Sequence, residues 1–168
     1  MDKLIRWINL LNKTIGKGIS LFTILLILIV CVDVALRYFF NFSTAGITEL
    51  EWHIFGCIFL LNAPNTLLMN KHVRVDALYQ KFSDRNKRWV DIFGILFFLI
   101  PFCLFVIHAS IPYVYNSWVI MEKSTDAGGL HFRFIIKAII PISMSLLLLQ
   151  GVSLMLSKLF ELKGTPTS

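Results

Sequence analysis

The sequence has few of the charged residues that cover the surface of a soluble domain. Only 15% of its 168 residues are charged, whereas 57% are apolar and the mean hydropathy is +0.73. A soluble domain carries about 25% charged residues and mostly alternates polar and apolar faces. Here the apolar residues collect into long blocks separated by short charged stretches. We therefore expect lipid rather than water around most of the chain.

Cysteine and histidine are also scarce, which argues against redox and metal chemistry. The three cysteines, Cys31, Cys57 and Cys103, lie in apolar blocks without Cys-x-x-Cys spacing, which favours packing over disulfides or metal clusters. Of the four histidines only His108 falls within a predicted span, so no pair of haem ligands is available within the chain. Nor is there a nucleophile and base arrangement, a glycine loop for phosphate or a metal-ligand spacing. We predict no catalytic, cofactor or metal site.

Four apolar blocks predict an all-α integral membrane protein with four transmembrane helices. At about 1.5 Å per residue, such blocks reach across a hydrocarbon core of roughly 30 Å. The third block has no Asp, Glu, Lys or Arg from Ile92 to Met121, so it must tilt or kink, and Pro101 and Pro112 offer places for a kink. We predict a single membrane domain over 1–168, with spans at 18–40 (TM1), 52–69 (TM2), 90–118 (TM3) and 134–157 (TM4), connections at 70–89 and 119–133, and a tail at 158–168.

The segment 3–16, ahead of the first span, is amphipathic. Its apolar residues recur at helical spacing and are Leu4, Ile5, Ile8, Leu11 and Ile15, with polar residues on the other faces. Two interpretations remain open: an interfacial helix joined to the span by a bend at Gly16 and Gly18, or a plain extension of the first span. A cleaved signal peptide is disfavoured, because the stretch is long, no small-residue cleavage site follows and three further spans come after it.

Lysine and arginine are distributed unevenly between the two sides of the predicted membrane. Twelve fall on one side, namely Lys3, Arg6, Lys13, Lys17, Lys71, Arg74, Lys81, Arg85, Lys87, Arg88, Lys158 and Lys163. Only Arg37, Lys123, Arg133 and Lys137 fall on the other. Because basic residues resist translocation, we predict that both chain ends are cytoplasmic. This bias accounts for the net charge of +6, so a nucleic-acid partner is not expected.

Charged side chains near span ends are candidates for structural or assembly sites. Asp33 and Arg37 are four residues apart, which places them on one helix face as an ion pair, and Glu49 or Glu51 from the next helix is positioned to join it. A transport site is the alternative for Asp33. It is disfavoured because both charges lie near the outer boundary, where the cost of a charge is lower than at the bilayer centre.

Two amide side chains, Asn62 and Asn65, flank Pro64 in the second span. We expect them to hydrogen-bond to a neighbouring helix or to the carbonyl that the proline leaves free. Lining a solute path is the alternative, which is disfavoured because no charge accompanies the amides.

Several short motifs, taken together over nearly the whole chain, resemble the small membrane subunit of tripartite ATP-independent periplasmic (TRAP) transporters. In chain order they are Arg37-Tyr38-Phe39, Glu49, Lys71-His72-Val73-Arg74-Val75-Asp76, Glu122-Lys123-Ser124, Gly128-Gly129-Leu130 and the segment from Lys137 to Pro141. Two positions depart from the usual pattern, since Lys71 replaces a common glycine and His131 a common proline.

The resemblance implies a bacterial inner-membrane protein that binds a large membrane subunit of roughly twelve helices. A periplasmic substrate-binding protein would deliver the solute, typically an organic acid, and a sodium gradient would drive its symport. The substrate and sodium sites would lie in the large subunit, while the small subunit, which has no cofactor, would enlarge the stationary scaffold.

Two connections have proposed assembly roles. We expect His72, Val73, Val75 and Asp76 to pack under the helix bundle or against the large subunit, because alternating valines are not needed for attraction to anionic lipid. The outer connection, which contains Glu122, either contacts the docked periplasmic protein or only joins two helices.

Two other functions remain as alternatives. A self-contained four-helix exporter working as a dimer would need a membrane carboxylate such as Asp33, but this one has a cation one turn away. A membrane anchor of a redox complex would need ligands that this chain does not pair.

Overall fold

A computed structural model of the chain describes residues 2–69 and 82–162, which form four long helices and no strand. The helices are α1 (Asp2–Phe40), α2 (Ala45–Leu68), α3 and α4 (Phe134–Leu162). α3 has three parts, which are an α-helical Asp84–Gly94, a π-helical Ile95–Leu99 and an α-helical Ile100–Val119. The all-helical class predicted from the sequence is confirmed for these residues.

Three of the helices, α1, α3 and α4, are long and apolar enough to cross a membrane. α2 is not among them. Polar residues occupy both of its halves, with Glu49, Glu51 and His53 near its start and Asn62 and Asn65 near its end, which shortens its apolar run. Membrane crossing by α2, and with it the count of four transmembrane helices, therefore stays a prediction.

α1 is one continuous helix, so the segments predicted as 3–16 and 18–40 are not separated by a break. The helix continues through Gly16 and Gly18, where the interfacial interpretation placed a bend. This continuity matches the alternative interpretation, in which the first residues extend the first span.

The buried face of the first turns of α1 differs from the predicted apolar face. Ile5, Ile8, Asn12 and Gly16 are buried, whereas Leu4 is 54% exposed. The face that packs on the bundle therefore contains a polar side chain, Asn12, which is buried because it has hydrogen-bond partners on α4.

The π-helical part of α3 lies directly before Pro101, one of the two predicted kink positions. Proline has no N–H, and its ring crowds the carbonyl four residues earlier. The chain responds by widening one turn, in which the backbone N–H of Ile100 donates to the carbonyl of Ile95, five residues back. Pro112 lies inside the regular α-helical part.

The connection between α1 and α2 is short and locally stabilised. Asn41 ends α1 in a left-handed conformation with a φ of 49°, which asparagine tolerates. The backbone N–H of Phe42 then donates to the carbonyl of Leu36 at 3.2 Å. Thr44 caps α2, because its hydroxyl accepts a 3.4 Å hydrogen bond from the N–H of Ile47.

α4 is the central helix, since it packs against α1, α2 and α3, while α1 and α2 pack on each other. The apolar core contains residues of α2, α3 and α4, namely Leu67, Cys103, Met144 and Leu147. We call the end of the bundle with the connections 41–44 and 120–133 the loop end. The end with the first and last described residues is the termini end.

Candidate functional site

The loop end carries a buried carboxylate, Glu49, that links α2 to the 120–133 connection. One oxygen, Oε2, accepts a 2.7 Å hydrogen bond from the backbone N–H of Leu130, and the other accepts from the hydroxyl of Ser124. Nη2 of Arg133 lies 4.0 Å from Oε1. The hydrogen bond from Ser124, followed by that from Leu130, lowers the pKa of Glu49 below its ordinary value. Glu49 is therefore an ionised side chain that fixes the connection onto α2.

Two glycines permit this close contact. A Cβ added at Gly46 would lie 2.7 Å from the carbonyl oxygen of Gly128, so only glycine fits there without a shift. Gly128 itself has a φ of 77°. The connection is further closed by a 3.0 Å hydrogen bond from the N–H of Ser124 to the carbonyl of Leu130. The 120–133 segment is thus a folded structure held on the start of α2.

A second ion pair joins the same connection to α4. Nζ of Lys137 contacts the carboxylate of Glu122, and the backbone N–H of Arg133 donates to the carbonyl of Glu122 at 3.1 Å. Lys137 also lies over the ring of Tyr113 on α3, with 4.0 Å between Nζ and the ring centroid. The hydrogen bond from Lys137 is the largest cause of the lowered pKa of Glu122.

A cleft of about 340 Å³ opens beside this ion pair, between α2, α3 and α4. Its lining residues are Trp52, Gly56, Leu60, Tyr113, Glu122, Arg133, Ile136, Lys137 and Ile140. The charged and aromatic residues lie toward the loop end, and the apolar ones lie deeper along the helices. The guanidinium of Arg133 sits 5.8 Å from the centroid of the Trp52 ring. The cleft therefore has a polar mouth and an apolar wall.

The termini end carries a buried polar network between α1 and α4. Nδ2 of Asn12 donates to Oε1 of Gln150 at 2.8 Å, and Nε2 of Gln150 donates to Oδ1 of Asn9 at 3.0 Å. The hydroxyl of Ser153 donates to the same Asn9 oxygen at 3.1 Å. Asn12, Gln150 and Ser153 are each 1% exposed. These bonds fix the first turns of α1 onto α4.

The predicted amide pair of α2 lies beside this network. Nδ2 of Asn65 donates to Oδ1 of Asn62 at 3.1 Å, so the hydrogen bond runs within α2 rather than to another helix. The side chain of Asn65 packs on α1 at Gly16, where an added Cβ would lie 2.6 Å from Cγ of Asn65. The contact between α1 and α2 here depends on close packing at a glycine.

The predicted pair of Asp33 and Arg37 is present, with 2.5 Å between Nη2 of Arg37 and Oδ2 of Asp33. Asp33 is buried, whereas the Arg37 side chain is 54% exposed. The expectation that Glu49 joins this pair is wrong, because Glu49 faces the 120–133 connection. Within the described ranges Glu51 also makes no ion pair with Arg37, and its buried Oε1 has no hydrogen-bond partner.

Four predicted residues of the 70–89 connection, His72, Val73, Val75 and Asp76, lie outside the described residues. Glu122, by contrast, is part of the loop-end ion pair. The residues that sequence reasoning missed are Asn9, Asn12, Gln150 and Ser153 at the termini end and the acceptor role of Glu49 toward Ser124 and Leu130. The spacing of Asn9, Asn12 and Gly16, which lie on one face of α1, could have indicated that this face packs on another helix.

The chain was also compared with known proteins. The family model of the DctQ component of tripartite ATP-independent periplasmic transporters matches residues 26–161. No curated protein and no solved structure matched the chain. The matched range contains the whole loop-end network and the α4 side of the termini-end network, and it begins after Asn9 and Asn12.

Proposed function

We propose a function from the premise that this chain belongs to the DctQ family of tripartite ATP-independent periplasmic transporter components, whose model matches more than half of its length. The family is a transporter component and not an enzyme family. In our proposal the chain is the small membrane subunit, which holds and orients a large membrane subunit. That large subunit carries the substrate and sodium sites and imports an organic acid delivered by a periplasmic binding protein.

The observation that supports the scaffold role is that charged side chains of the helices form ion pairs within the chain. Asp33 pairs with Arg37, and Lys137 pairs with Glu122, so these four charges are neutralised within the chain and near the loop end. Apolar residues of α2, α3 and α4 form a core, and the described buried residues of α3 and α4 include serines but no charged side chain. A solute path needs polar groups at mid-membrane depth. The absence of such groups from the apolar core of the described residues supports a scaffold role rather than a solute path.

The exposed apolar surface supports a role in a larger assembly. In the most apolar window of α1 only 6% of the residues are buried inside the chain, and in that of α3 only 17%. Leu21 on α1 and Phe105 on α3 are 67% and 71% exposed. Such surfaces need a lipid or protein neighbour. In the proposed complex part of this surface contacts the large subunit and the rest contacts lipid.

The proposed orientation places the termini end at the cytoplasm and the loop end at the periplasm of a bacterial inner membrane. The support for it is the excess of lysine and arginine before α1, in 70–89 and after α4. The folded 120–133 connection then lies where a periplasmic protein docks, and we propose that it contributes to that contact.

Purification of the tagged full chain from its own cells in mild detergent, followed by mass spectrometry, tests the assembly. We expect a large polytopic membrane protein to co-purify at equal stoichiometry. Self-association without such a partner would favour the dimeric exporter, and stoichiometric bound haem would favour the redox anchor. Either result would reject the proposed function.

A further inference from the structure

The cleft between α2, α3 and α4 contains a cation whose donors are not used. Arg133 presents five N–H donors. Within the described residues its guanidinium makes no hydrogen bond, and its nearest carboxylate oxygen, Oε1 of Glu49, lies 4.0 Å away. That oxygen already accepts from Ser124. The side chain is 24% exposed. A partly buried guanidinium with free donors is a site for an anionic acceptor with several oxygens.

We propose that this cleft binds one zwitterionic phospholipid, with its phosphate on Arg133, its ammonium near Glu122 and an acyl chain along the apolar wall. The wall consists of Gly56, Leu60, Ile136 and Ile140. This inference goes beyond the scaffold function and needs only that the bundle lies in a membrane.

The polarity of the cleft matches the boundary between headgroup and acyl chain. Trp52 and Tyr113 at its mouth are 46% and 51% exposed, and both aromatic types are enriched at membrane interfaces. The apolar wall continues from these rings along the helices toward the bilayer centre. A lipid is the ligand that needs charged contacts at one end and apolar contacts at the other.

The charge of the site selects a zwitterionic headgroup over an anionic one. Arg133 and Lys137 contribute two positive charges, and Glu122 contributes one negative charge to the lining. Glu49 does not line the cleft, but its carboxylate lies 4.0 Å from Arg133, so the charges in and beside the cleft sum to zero. Lys137 pairs with Oε2 of Glu122, whose side chain is 26% exposed and can face an ammonium. A neutral site with separated charges complements a neutral headgroup with separated charges.

The size of the cleft suits a small ligand. The cleft has about 340 Å³, at the lower end of the range of roughly 300–1,000 Å³ for small-ligand sites. A headgroup with the start of one acyl chain fits that volume.

Native mass spectrometry of the full chain, with whatever protein co-purifies, tests this site. The sample is reconstituted in nanodiscs of equal phosphatidylethanolamine and phosphatidylglycerol and then released into mild detergent. We expect one retained phosphatidylethanolamine in the wild type. Arg133→Gln should lower the lipid-bound fraction about tenfold at limiting lipid, the effect of one charged hydrogen bond. Lys123→Gln, which removes an exposed charge of the same connection, should not change it.

A second variant fills the cleft without changing the charged residues that hold the 120–133 connection. A Cβ at Gly56 would lie 4.0 Å from Ile136, so the leucine of Gly56→Leu would fill the apolar wall while every charge remains. It should displace the lipid, whereas Gly18→Leu, at a position with nothing within 4 Å, should not. A wild type without retained phospholipid, preferential retention of phosphatidylglycerol, or equal retention in Gly56→Leu and Gly18→Leu would overturn the proposal. Failure of the scaffold function appears separately, as a missing large subunit in the wild-type sample.

Discussion

The carboxylate of Glu49 on α2 accepts a 2.7 Å hydrogen bond from the backbone N–H of Leu130, 81 residues later in the chain. This bond fixes the connection between α3 and α4 on the start of α2, so that three helices share one folded cap at the loop end. In the proposed orientation this cap faces the periplasm. The position of the cap therefore depends on one ionised side chain and on the donors that surround it.

Replacing Glu49 by Gln should loosen this cap. The amide keeps one acceptor but loses the charge that strengthens the hydrogen bonds from Ser124 and Leu130. We expect hydrogen exchange at the Leu130 amide to become about tenfold faster. Glu51→Gln is the matched control, because Oε1 of Glu51 has no partner among the described residues. Equal exchange at Leu130 in the wild type and in Glu49→Gln would show that the carboxylate does not hold the connection.

The order of the cap should also depend on pH. Glu49 and Glu122 both have a pKa below the ordinary value of 4.5, since Ser124 and Lys137, respectively, favour their ionised forms. A carboxyl group whose pKa falls on folding stabilises the fold above its ordinary pKa, and this contribution is lost as the pH falls through the lowered value. Protection factors of the 120–133 amides should stay constant above about pH 5.5 and decline below about pH 4.5.

The control for this pH profile is the double variant Glu49→Gln, Glu122→Gln. Its protection factors should be lower at neutral pH and nearly independent of pH. A decline in the wild type that is centred near neutral pH would assign the transition to other groups.

Gln150→Leu should destabilise the contact between α1 and α4. It leaves Nδ2 of Asn12 without its partner and removes one of the two donors to Oδ1 of Asn9, at a cost of about 1 kcal/mol or more. The double variant Asn12→Leu, Gln150→Leu should cost less than the sum of the single changes, because both members of one pair are removed. Unfolding in mixed detergent measures the stability of the single and double variants. Ser145→Ala is a control at an exposed position on α4. Strict additivity would mean that the pair is not coupled.

Gly16 should tolerate no larger side chain, in contrast to Gly18 two residues later. Leucine at position 16 would meet Asn65 at 2.6 Å from the Cβ and should destabilise the bundle by about 1–3 kcal/mol. Leucine at position 18 meets nothing within 4 Å and has a better helix propensity, so it should be neutral or stabilising. Thermal unfolding of the two variants in one detergent provides the comparison. Equal melting temperatures would contradict the close approach of α1 and α2.

Local patterns in the sequence predicted most of the helical structure. The apolar block predicted as 134–157 lies in α4, which begins at Phe134 as expected and extends to Leu162. The block predicted as 90–118 lies in α3, which begins earlier because Ser83 caps a polar first turn at Asp84. Apolar length indicates the part of a helix that suits lipid, whereas capping decides where the helix begins. The sequence predicted a possible kink at Pro101 but not its form, a π-helical turn.

The sequence predicted only those contacts of the candidate sites whose two residues lie in the same helix. The pair of Asp33 and Arg37 follows from helical spacing alone. Glu49 was recognised as a candidate, but its partners lie in a distant connection, so its pairing was assigned to the wrong site. Asn12 was not recognised as a candidate. Its burial depends on Gln150, 138 residues away, and no periodicity within α1 reveals that partner.

The central claim is that this bundle keeps one shape while a larger partner moves. Spin labels at exposed positions Lys13, Phe42 and Lys123, in the assembled transporter with its native cysteines replaced, measure distances across the bundle from end to end. We predict distance distributions that shift by less than about 2 Å between the sodium-free state and the state with sodium and substrate. A shift of several ångströms between the label at Lys13 and either label at the loop end would contradict the scaffold role.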